Sequence, residues 1–93
     1  MVEVTLLVNF FGRVQGVGFR FLCLRKANSL GLTGWVRNAP KFDLVETCLQ
    51  GEKKKVDELI AYFKENPFNI HIEKVVIEEV SGAEKLNDFQ VKY

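Results

Sequence analysis

The sequence predicts an α+β sandwich in which a small antiparallel sheet carries two helices on one face. Three observations lead there. Apolar residues alternate through Val4, Leu6, Val8 and Phe10, the period of a strand with one buried side. Two later stretches follow a helical period instead: Phe19, Cys23, Ala27 and Leu30, then Val56, Leu59, Ile60 and Phe63. Strand-like segments separate and follow those helices, so the order reads βαββαβ with a small terminal strand.

Each element has its own local reason. In residues 2–11, Glu3, Thr5 and Asn9 fall largely on the face opposite the apolar set, which makes a half-buried first strand. The first helix covers residues 20–30, and Gly31 follows as its C-cap. Residues 32–38 and 43–50 form a hairpin with Val45, Thr47 and Leu49 facing inward. The second helix ends at Asn66-Pro67, because the residue before a proline is pushed out of the helical region. Residues 72–80 make a fourth strand with Val75 and Ile77 inward, and residues 89–91 a short fifth. This succession is the ferredoxin-like, or split βαβ, arrangement.

Composition narrows the class of function. The 93 residues, 47% hydrophobic and 27% charged, suit one ordinary globular domain over residues 1–93. A formal net charge of +1 provides no field for gathering polyanions, so no nucleic-acid partner is expected and any anion site must be local. The opening segment is too short and too polar for a signal peptide or a membrane span. Cys23 and Cys48 form no metal motif and are too sparse for a disulfide scaffold. They read as buried reduced thiols in a cytoplasmic protein, expected to be a monomer.

The most informative stretch is Gly-Arg-Val-Gln-Gly-Val-Gly-Phe-Arg at residues 12–20, between the first strand and the first helix. Its three glycines let the backbone fold tightly. A run of backbone N–H groups feeding a helix N-terminus is an anion site. Arg20 falls in the first helical turn, and its side chain leans back over the same hollow. Gln15, Gly16, Val17, Gly18, Phe19 and Arg20 are therefore the candidate phosphate-binding loop. The spacing is neither G-x-G-x-x-G nor G-x-x-x-x-G-K-[ST]. The glycines alone favour a plain connecting turn; Arg20 at the helix start brings the anion site level with it.

Topology adds a second residue. A helix joins the first two strands, so they run parallel and their C-terminal ends share one edge of the sheet. In the strand order 4-1-3-2, two strand spacings put those ends roughly 10 Å apart. Arg20 and Asn38 can then meet on one small molecule. Asn38 offers an acceptor and two donors, which suits holding a water in line with a leaving group. Neither motif offers a convincing general acid or base. An alkyl phosphate ester would need one, or a metal. A mixed carboxylic–phosphoric anhydride would not, because it releases a carboxylate.

The residues 12–20 resemble the signature loop of the acylphosphatases, and Gly34-Trp35-Val36-Arg37-Asn38 resembles their second motif. The closing Phe89-Gln90-Val91-Lys92-Tyr93 is similar to their last strand. The resemblance implies hydrolysis of small-molecule acyl phosphates without metal or cofactor, with inorganic phosphate as product and inhibitor. It assigns phosphate binding to Arg20 and water positioning to Asn38. Arg13, Arg37 and His71 are read as structural or surface residues. One departure stands out: the turn Ala39-Pro40-Lys41-Phe42-Asp43 has no glycine. It calls for a wider loop or a bulge, which would shift Asn38. The alternative is therefore a catalytically weak or silent domain that binds anions or acyl phosphates.

Overall fold

The protein is described from a computed structural model covering residues 2–16 and 18–93. Its elements follow the order β1 (Glu3–Arg13), α1 (Phe19–Ser29), β2 (Thr33–Asn38), β3 (Leu44–Glu52), α2 (Lys53–Lys64), β4 (His71–Glu79) and β5 (Phe89–Lys92). The strands form one sheet in the order β4-β1-β3-β2-β5. The first four strands pair antiparallel, as expected, and β5 adds a parallel edge against β2. The sheet is therefore mixed at one margin only.

Alternation along β1 buries Leu6, Val8 and Phe10, and the facing β3 buries Val45, Thr47 and Leu49. Both helices cover that face with Phe19, Cys23 and Ala27 from α1 and Val56, Leu59, Ile60 and Phe63 from α2. At the centre, the Phe10 ring lies 5.3 Å from Phe19 and 5.6 Å from Phe63, and Phe19 stacks on Phe63 at 4.3 Å. Ring pairs at such separations add attraction beyond the area they bury. Because Phe19 opens α1, this cluster also fixes the end of the glycine-rich loop.

The first helix stops as its sequence implies. Gly31 takes φ 71°, Leu32 N–H donates to Ala27 O at 2.9 Å and Gly31 N–H to Asn28 O at 3.2 Å. These are the two bonds of a Schellman motif. Gly34 answers a different demand: a Cβ there would lie 1.8 Å from the Cys48 carbonyl oxygen. Only glycine lets β2 lie so close to β3.

Ile77 departs from expectation. The register sets it opposite Val8 on the helix side, yet it remains 48% exposed. It belongs to the outer strand β4, whose margin lies beyond the helical cover. Val75 and Ile72 alone from this strand pack against the core, each partly buried.

The register matters most at β3. Val45 lies opposite Phe10 of β1 on one side and Asn38 of β2 on the other. Two strand spacings, roughly 10 Å, thus separate the end of β1 from Asn38. Both face the helices.

Candidate active site

After β1, Val14 is buried, Gly16 turns with φ 73° and Gly18 with φ 81°. Gly18 is the left-handed N-cap of α1, which has no side-chain cap and no acidic residue in its first turn. The helix N-terminus thus opens without an internal anion, the condition under which its N–H groups serve an external one. Val17 lies outside the described residues. Phe19 contributes only backbone here, since its ring belongs to the core.

The two motifs meet. Gly16, Gly18 and Arg20 line a hollow of about 160 Å³ together with Asn38. Val14 and Phe19, each 1% exposed, make its floor, and Phe21 lies at its margin. That volume is far below the roughly 300–1,000 Å³ of a site for a drug-sized ligand. It suits one small anion. Larger hollows exist, one of about 400 Å³ beside Thr5 and Gln50 and one of about 450 Å³ beside Arg13 and His71. Neither contains a residue of the cradle or Asn38.

Arg20 is held from the far end of the chain. Its Nη1 donates a long 3.5 Å hydrogen bond to Lys92 O, and its guanidinium lies 4.8 Å from the Tyr93 ring centroid. A cation over an aromatic face is attracted and loses rotational freedom. The role of β5 in holding Arg20 was not apparent from spacing, although the likeness of residues 89–93 to a closing strand was a signal.

Gln15 departs from the simple picture of a loop ligand. Its Nε2 donates to Ala39 O at 3.0 Å, Lys41 O at 2.6 Å and Leu44 O at 2.8 Å. The side chain is committed to the hairpin turn, not to the hollow. This contact explains how the turn dispenses with glycine. None of its residues takes a positive φ. The ladder continues through Ala39 N–H to Leu44 O, and Leu44 N–H donates to Lys41 O. Gly12 N–H donates to Asp43 O at 2.9 Å. The expected wider loop is present, tied down from the side by the first motif.

The remaining charged candidates lie elsewhere. Arg37 pairs with Glu46 at 2.7 Å and stacks over Trp35 at 5.2 Å on the open face of the sheet. Arg13 and His71 are exposed partners in the β1–β4 register. Burial pushes the Cys23 thiol well above its ordinary range, so it is not an activated nucleophile. Burial raises Cys48 too, with Lys92 opposing. Among the described residues, no three His, Cys, Asp or Glu side chains gather where they could hold a metal, and no helix is long and apolar enough to cross a membrane.

Fold and hollow together define a class: a ferredoxin-like domain with a small hollow at a helix N-terminus, where a guanidinium and a carboxamide meet. A family model described as acylphosphatase matches residues 6–91. The chain belongs to the acylphosphatase family. A protein named acylphosphatase from Acaryochloris marina is 48% identical over 73 residues, 78% of this chain and 77% of that one. Another of that name, from Caldivirga maquilingensis, is 41% identical over 92 residues, 99% of this chain and 95% of its own. The solved structure of an acylphosphatase from Coxiella burnetii matches with a TM-score of 0.88 and 36% identity, over 97% of this chain and 93% of that chain.

Proposed function

We propose that this protein hydrolyses the carboxyl–phosphate bond of small acyl phosphates, with Arg20 and the loop amides of residues 15–20 holding the phosphoryl group and Asn38 orienting the attacking water. The observation that carries this reading is the shared hollow, where the two motifs meet without a candidate general acid or base. Fixed donors around a phosphoryl group lower the barrier by being already aimed where charge shifts in the transition state. The water oxygen bonds to phosphorus as the bond from phosphorus to the bridging oxygen breaks. The electron pair leaves with the carboxylate, and both water protons end on the phosphate. A carboxylate needs no protonation to leave, so the chemistry asks for no metal and no cofactor. Inorganic phosphate, the product, should inhibit by occupying the same cradle. The protein is proposed to act as a cytoplasmic monomer.

Asn38→Ala separates catalysis from binding. The substitution removes the water's partner but leaves the loop amides and Arg20. Turnover of benzoyl phosphate should fall about 100- to 1,000-fold, with the inhibition constant of inorganic phosphate nearly unchanged. Equal single-turnover rates in the two proteins would remove Asn38 from the mechanism. Phosphate binding without hydrolysis in the wild type would make the chain a silent binding domain.

A further inference from the structure

We infer that Phe21 is the residue that selects the acyl group, its ring forming an apolar rim that favours aromatic and other apolar acyl phosphates over acetyl phosphate. The inference rests on the proposed reaction and deepens it. Of the apolar residues lining the hollow, Val14 and Phe19 are 1% exposed and can only floor it. Phe21 is 57% exposed, which leaves much of a large ring uncovered beside Gly16, Gly18, the Arg20 guanidinium and the Asn38 carboxamide. Exposed apolar surface gains free energy when a ligand covers it.

The geometry of the reaction says what covers it. In an acyl phosphate the acyl carbon is one bridging oxygen away from phosphorus. In-line displacement sets that oxygen on the side of phosphorus opposite the attacking water. With the water on Asn38 at the end of β2, the acyl group lies toward a wall that Asn38 does not form. Among the described residues of the lining, Phe21 alone combines apolar character with free surface. It follows Arg20 directly in α1, and both residues line the same hollow. A benzoyl ring can meet it edge to face or offset; an acetyl group offers one methyl.

Two other exposed phenylalanines provide a contrast. Phe42 and Phe68 are 84% and 81% exposed, but neither lines the hollow. Bare aromatic surface is therefore not the criterion; position beside the cradle is.

The test compares kcat/KM for benzoyl phosphate and acetyl phosphate in the wild type, Phe21→Ala, Phe21→Leu and Phe68→Ala. Phe21→Ala keeps the backbone amide and removes only the rim. The benzoyl-to-acetyl ratio should fall about 3- to 10-fold, the effect of one aromatic contact. It should do so through the KM of benzoyl phosphate, with phosphate inhibition unchanged. Phe21→Leu should lie between, and Phe68→Ala should keep the wild-type ratio. Loss of folded protein scales both rates alike and leaves the ratio untouched. An unchanged ratio in Phe21→Ala, or an equal shift in Phe68→Ala, would overturn the inference while leaving the reaction standing. A wild type that hydrolyses neither substrate would overturn both.

Discussion

Gln15, which the sequence assigns to the phosphate loop, turns its side chain into the hairpin turn beside Asn38. Its carboxamide bridges to Ala39 O, Lys41 O and Leu44 O, and Ala39 is the immediate neighbour of Asn38. Gln15→Leu would leave three carbonyls without this donor and free the turn. Misplacing a catalytic group by an ångström can cost about 100-fold, so kcat should fall by about 10- to 100-fold. The phosphate inhibition constant should move far less, because the backbone amides and Arg20 remain. A matching loss of phosphate affinity would mean that Gln15 supports the cradle instead. Asn38 and Arg20 were legible in the sequence because their positions follow from local motif and strand direction. The orientation of Gln15 was not, since its contacts span 24 to 29 residues and no local pattern encodes them.

At the scale of elements, the connection from α2 to β4 carries a local conflict. Asn66 and Phe68 both adopt left-handed backbone, at φ 55° and 57°. Asn66 has compensation: asparagine tolerates this region, and its Oδ1 accepts from Ile72 N–H at 2.7 Å. Phe68 has little, being 81% exposed. Phe68→Gly should therefore raise stability by about 0.5–1 kcal/mol, the relief of Cβ strain less the extra freedom of the unfolded chain. Phe68→Ala keeps the Cβ and should bring no such gain. Urea unfolding of the three proteins checks both expectations, and equal midpoints for the Gly and Ala variants would refute the account. The sequence marked the helix stop at Pro67, but a left-handed phenylalanine has no propensity signal. The crossing to β5 was equally hidden. It is anchored by buried Gln50, which donates to Thr5 Oγ1 and Glu84 O and accepts from Thr33 Oγ1 and Leu86 N–H.

For the whole molecule, the fold was legible because alternation and helical period agree with the only simple way of joining these elements. The same closed core gives a pH signature. Cys23 is fully buried, and burial raises its thiol far above the ordinary value of 9.0. Below that value the thiol is neutral whether the chain is folded or not, and stability is unaffected. Above it the unfolded chain loses the proton while the folded one keeps it, so the unfolded state gains. Stability should fall by about 1.4 kcal/mol per pH unit beyond about pH 9 on account of this group. Cys23→Ala should be shallower than the wild type by that amount, whatever its stability at neutral pH. Identical slopes would show that the thiol ionises in place.

The position of Val45 between Phe10 and Asn38 has one more consequence. The two halves of the hollow sit on strands that do not pair with each other, and β3 is the strand that pairs with both and sets their register. A slip of one residue between β2 and β3 would turn Asn38 to the open face and bring Arg37 or Ala39 to its place. Such a molecule would keep its composition, its strand content and much of its bulk, yet it would have lost the constellation. Hydrolysis therefore acts as a census of correctly threaded chains. In a refolded sample, specific activity per mole of protein counts the molecules in which both ladders closed in step, a quantity that circular dichroism does not resolve.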